Sequence, residues 1–95
     1  MTDLPYTEAL VPSAHRPLFE QLRNELPEFE LWVRLEDFGR WLSVGVINRA
    51  TGVAVTIPVS RAGRVRTLPF QSDELLKIRD HLNDRGAKDL ELPTR

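Results

Sequence analysis

Hydrophobic positions along this chain change their period twice, and each change marks a boundary between elements. Leu18, Phe19, Leu22 and Leu26 recur at helical spacing, which puts them on one stripe of a helix. Pro17 suits the first helical turn, where its missing N–H costs nothing, and Pro27 stops the run. A first helix is therefore predicted over 17–26, with Ser13 in the turn before it.

From Glu28 the period becomes two. Phe29, Leu31, Val33 and Leu35 alternate with Glu30, Trp32, Arg34 and Glu36, the signature of a strand with one buried face. Asp37-Phe38-Gly39 forms a turn into a second strand over 40–49, with Leu42, Val44 and Val46 on one face and Trp41, Ser43, Gly45, Ile47 and Arg49 on the other. Ala50-Thr51-Gly52 is a hairpin loop whose glycine supplies positive φ. A third strand over 53–59 turns Val53, Val55, Ile57 and Val59 inward, and Pro58 requires its end to lie at an edge or a bulge. Ser60-Arg61-Ala62-Gly63 is the next turn, followed by a short fourth strand over 64–68.

The helical period then returns in Leu75, Leu76, Ile78 and Leu82. Ser72 serves as N-cap, Asp73 and Glu74 complement the dipole of the first turn, and Gly86 is placed as the left-handed residue past the C-terminus. Leu90 and Leu92 sit at strand spacing before Pro93 and can join an edge. The first dozen residues, with Pro5 and Pro12, show no period and read as an extended arm over 1–12 preceding a single domain over 13–95. The expected fold is α+β: a four-stranded antiparallel β-meander with an N-terminal and a C-terminal helix, in the order α-β-β-β-β-α.

Composition narrows the function classes. The chain has 95 residues, 41% of them hydrophobic and 28% charged, which suits one globular core and is too apolar for a disordered segment. It contains no cysteine and two histidines, His15 and His81, so neither disulfides nor a Cys/His metal site can staple so small a domain, and a homodimer is the remaining common way to bury more surface. The absence of cysteine, of an apolar leader and of any run of about 18 apolar residues points to a cytoplasmic protein that does not enter membranes.

No constellation for chemistry emerges. Ser13, Ser43, Ser60 and Ser72 lack a nucleophile elbow, the glycines are too scattered to cradle phosphate, and no Cys-x-x-Cys, His-x-His or Asp-x-Asp spacing exists. Glu36 and Asp37, adjacent at a strand end, point to different sides. The expectation is a non-enzymatic binding module with no cofactor and no metal.

One feature stands above this background. If the aliphatic residues form the inner face, period two assigns Trp32, Arg34, Trp41, Ser43, Ile47, Arg49, Thr56, Arg64 and Arg66 to the other. Net charge over the chain is −1, yet between 34 and 66 six arginines meet only Glu36 and Asp37, a local excess of four positive charges. Indoles stack on bases while guanidinium groups contact phosphate, the combination used by sheet-based binders of single-stranded nucleic acid. Trp32, Arg34, Trp41, Arg49, Arg64 and Arg66 are accordingly the candidate binding residues. The same residue types are enriched at protein interfaces, so a protein partner or a second copy is the alternative occupant. If the two helices cover opposite faces, both indoles are simply core.

Arg40-Trp41-Leu42-Ser43-Val44-Gly45-Val46, then Gly63-Arg64-Val65-Arg66-Thr67-Leu68, then Asp73-Glu74-Leu75-Leu76-Lys77-Ile78 resemble in pattern the single-stranded-DNA-binding transcriptional coactivators known as Positive Cofactor Four. The resemblance covers roughly half the chain and implies a dimer that binds single strands through curved sheets. The lysine-rich character of that family is missing, and the first helix is additional. The order α-β-β-β-α is also similar to the double-stranded-RNA-binding domain, but Ser72-Asp73-Glu74 stands where that fold presents lysines to phosphate.

Overall fold

The computed structural model describes residues 2–38, 40–61 and 63–93. The chain is α+β, with a mixed six-stranded sheet and two helices. In chain order these are β1 (Thr2–Pro5), α1 (Arg16–Glu25), β2 (Glu30–Glu36), β3 (Trp41–Asn48), β4 (Val53–Arg61), β5 (Arg64–Val65), α2 (Ser72–Leu82) and β6 (Leu90–Glu91), with a single 3-10 turn at Glu8–Leu10. Strand order is β1-β2-β3-β4-β5, and β6 also pairs with β4.

The antiparallel run β2-β3-β4 follows the alternation of the sequence, but the sheet is larger than a four-stranded meander. Residues 2–5, expected in an extended arm, form β1 and pair antiparallel with β2, Asp3 opposite Arg34 and Pro5 opposite Trp32. At the other end β6 lies parallel to β4, Val55 opposite Leu90 and Thr56 opposite Glu91. A parallel neighbour needs a crossover, and α2 supplies it. The fourth strand ends after Val65 rather than Leu68.

Both helices cover the same face. Register places Leu31, Val46 and Val55 in one row and Val33, Val44 and Ile57 in the next. These rows share one buried cluster with Leu18, Phe19, Leu22 and Leu26 from α1 and its C-cap and with Ile78 and Leu82 of α2. Helix α1 packs on β2 and α2 on β4. The result is two layers, one sheet face filled by helices and the other bare of them.

Pro58 lies where its missing N–H is harmless. On the edge of β4 away from β3, Ala54 N–H donates to Asp89 Oδ1 at 2.9 Å, Thr56 C=O accepts from Leu92 N–H at 2.9 Å, and Val59 C=O accepts from Arg66 N–H at 2.7 Å. Pro58 falls between the stretches covered by β6 and β5. Immediately after it the register with β3 slips: Ser43 faces Pro58 but Leu42 faces Ser60. This bulge shifts the alternation by one, so Arg61 emerges on the side opposite to Val59.

The N-cap of helix α2 lies one residue earlier than expected, and Ser72 is already helical. Gln71 is the N-cap, and its N–H donates to Glu74 Oε1 at 3.1 Å. Its C-terminus is not closed by Gly86, because Asn83 is already the C-cap. Side chains from the β3-β4 hairpin take over that role, Asn48 Nδ2 and Thr51 Oγ1 donating to Leu82 C=O at 2.9 and 2.6 Å. Gly52, at φ +75°, makes the hairpin as expected. The turn residues Gly39 and Ala62 lie outside the described residues.

Candidate functional site: the open face of the sheet

Trp32, Arg34 and Trp41 share the helix-free face. Trp32 stands opposite Gly45 and Pro5, Arg34 opposite Ser43 and Asp3, and Trp41 opposite Glu36. Both indoles are half-buried and neither belongs to the core. They are not adjacent: four residues along β2 and one strand across separate them, about 14 Å at ordinary strand spacing.

Gly45 shapes the middle of this face. A Cβ built there would lie 3.6 Å from Trp32 Cβ and 3.9 Å from Arg34 Nε, so the Arg34 side chain extends over the glycine beside Trp32. With Asp3, Ile47 and Ala54 they line a depression of about 170 Å³.

The guanidinium groups of the face are held by carboxylates. Arg34 Nε lies 3.2 Å from Asp3 Oδ1, and its Nη1 donates to Thr56 Oγ1 at 2.7 Å. Arg49 pairs with Glu30 at the far end of the face. Arg61, brought to this side by the bulge, stacks 4.7 Å above the Trp41 ring and pairs with Glu91 of β6. Arg64 stands opposite Arg61 at the edge and is exposed. Asp3, Glu30, Glu36 and Glu91 thus balance Arg34, Arg49, Arg61 and Arg64, and the local positive excess of the 34–66 segment disappears once remote strands contribute their acids.

Arg66 does not join the open face. Strand β5 ends before it, and Arg66 Nη2 donates to Glu74 Oε1 at 2.8 Å while its guanidinium covers the Phe70 ring at 4.0 Å. The two side chains of the pair are 11% and 13% exposed, so this arginine belongs to the packing of α2 and is too enclosed to reach a partner on the open face.

Three residues of the site carried no binding role in the sequence. Arg61 fell in an expected turn, and only the bulge at Pro58 hinted otherwise. Glu91 came from a tail without assigned position. Phe38, in the β2-β3 turn, is fully exposed, and an aromatic residue inside a turn was the available signal.

Elsewhere, a depression of about 460 Å³ is lined by Tyr6, Arg23, Asn24, Pro27, Phe29 and Leu31. Burial, together with a hydrogen bond to Glu20 at 2.6 Å and the charge of that carboxylate, pushes the Tyr6 phenol from 10.0 up to about 12. A phenol held protonated in this way is a poor base at neutral pH. His81 Nε2 lies 2.7 Å from the Lys88 carbonyl, and His15 is the N-cap residue of α1. Among the described residues no group of three or more His, Cys, Asp and Glu side chains is arranged to hold a metal ion, and no helix is long and apolar enough to cross a membrane. Compared with protein-family models, with curated proteins and with solved structures, the chain matches none.

Proposed function

We propose that this protein is an interaction module without chemistry of its own, and that its open β-face docks a second copy of the chain. The observation that carries the reading is the anatomy of that face: apolar Trp32, Gly45, Ile47, Ala54 and Pro58 interleaved with the pairs Arg34–Asp3, Arg49–Glu30 and Arg61–Glu91, the Arg34 guanidinium reaching across Gly45 to Thr56. Apolar surface mixed with tryptophan and arginine side chains is a composition enriched at protein interfaces. Equal numbers of opposite charges make the face compatible with itself, whereas a phosphate backbone demands uncompensated cations. Sedimentation equilibrium over a range of concentrations tests the reading. Wild type is expected to dimerise and Ile47→Lys, on the apolar part of the face, to remain monomeric with an unchanged melting temperature. A wild type that is monomeric at every concentration overturns it.

A second reading, a single-stranded nucleic acid on the same face, is favoured by the stacked Arg61 and Trp41 and by the exposed Arg64. It predicts oligonucleotide binding at low salt that weakens by about 1–3 kcal/mol when Trp32 or Trp41 is replaced by alanine. Absence of binding to any oligonucleotide at low salt excludes it.

A further inference from the structure

The β2-β3 turn carries two costs that the fold does not require. Asp37 and Phe38 both lie at positive φ, 50° and 56°, in the left-handed region where glycine is comfortable and phenylalanine is strained. The same Phe38 is fully exposed to solvent. A turn can be made by glycine or asparagine without either cost. Strain and an exposed aromatic ring on one residue mark a position held for contact.

The charges around this turn depart from the rest of the face. Toward its centre and far end the guanidinium groups are paired with carboxylates, but Glu36, Asp37, Arg40 and Arg64 form no ion pair among the described residues. All four lie at the end of the sheet where β2 and β4 finish and β3 and β5 begin, beside the Trp41–Arg61 stack. Two free acids and two free bases thus stand at the same end of the sheet as one exposed ring. A twofold axis through such a patch brings the acids of one copy to the bases of the other, and the exchange repeats by symmetry.

We infer that this hairpin end is the anchor of the contact between two copies, Phe38 of each being buried in the partner with crossed carboxylate–guanidinium pairs around it. The inference rests on the self-association proposed above and assigns its register. The acids Glu36 and Asp37 beside the ring disfavour a nucleic-acid phosphate as the occupant of this end.

Sedimentation equilibrium and thermal melting on one set of variants test it. Phe38→Gly should weaken the dimer about tenfold or more, as loss of a buried aromatic anchor does, while leaving the melting temperature of the monomer unchanged or higher because the backbone strain is relieved. The double variant Glu36→Arg, Asp37→Arg alone and the double variant Arg40→Asp, Arg64→Asp alone should each fail to self-associate. Mixed, these two should form a heterodimer, since opposite charges then face each other at both crossed pairs. A wild type that never dimerises overturns the inference together with the reading it rests on. A dimer that Ile47→Lys breaks but Phe38→Gly and the charge reversals leave intact overturns the inference alone, as does oligonucleotide binding that Phe38→Gly abolishes.

Discussion

The side-chain amide of Asn48 donates to the main-chain carbonyl of Leu82 at 2.9 Å, joining the last residue of β3 to the last residue of α2. Asn48 is the buried polar residue of the described chain, and its second donor hydrogen reaches Asn83 Oδ1 at 3.1 Å while its oxygen accepts from Ala50 N–H at 3.0 Å. The hairpin turn and the helix terminus therefore share one amide. Asn48→Ala strands the Ala50 N–H and removes a partner from the helix end, and should cost about 2 kcal/mol. The shift in the midpoint of urea unfolding measures it.

Arg66 and Glu74 form the most enclosed ion pair among the described residues. Removing either partner leaves the other charge shielded from water, so Arg66→Ala should destabilise by about 3 kcal/mol. Replacing both at once, Arg66→Met with Glu74→Leu, should cost only about 1 kcal/mol. The remainder reflects the lost hydrogen bond from Gln71 N–H to Glu74. Denaturant unfolding of Arg66→Met, Glu74→Leu and the double variant checks the non-additivity.

Tyr6 is the single tyrosine of the chain, so its titration is directly visible in the absorbance of phenolate. Its midpoint should fall at about 12, raised first by burial and then by the hydrogen bond to Glu20 and its charge. Glu20→Gln should return it part of the way toward 10.0. Because the folded value exceeds the unfolded one, the stability Tyr6 contributes is fully present below pH 10 and is lost as pH rises toward 12. Melting of wild type against Tyr6→Phe across that interval tests the sign.

Two glycines separate space from conformation. At Gly45 an added methyl meets Trp32 and Arg34 at ordinary contact distance and no positive φ is involved, so Gly45→Ala should stabilise by about 0.5 kcal/mol. At Gly52 the space is empty but φ is +75°, and Gly52→Ala should destabilise by about 1 kcal/mol. Opposite shifts in melting temperature are the expected result.

The elements legible in the sequence were those whose period ran over several positions. Leu18, Phe19, Leu22 and Leu26 marked α1 to within a residue, and the alternation from Phe29 to Val59 marked β2, β3 and β4 and set Trp32, Arg34 and Trp41 on one face. Strand β5 was legible at its start but not at its end, and β1 and β6 are too short for any period to declare itself and exist because a neighbouring strand offers an edge. For the same reason the charge balance of the face is not legible in the 34–66 segment. Its neutralising acids Asp3 and Glu91 come from those two strands, far from the arginines they hold. Arg66 was assigned by extending an alternation past Val65, where no ladder continues and Glu74 captures the side chain. The end of α2 was sought in Gly86, whereas Asn48 and Thr51 cap it from a hairpin more than 30 residues away.

The imino nitrogen of Pro58 has a consequence for how the molecule aggregates. Sheet proteins run into fibrils when a neighbour's strand docks along an exposed border and prolongs the ladder. Along β4 that border is occupied at both ends by two-residue strands and interrupted between them by a residue with no hydrogen to give. Lateral zippering is thereby disfavoured on this flank, and a ribbon that must grow through both borders of the sheet has no ready path through this one.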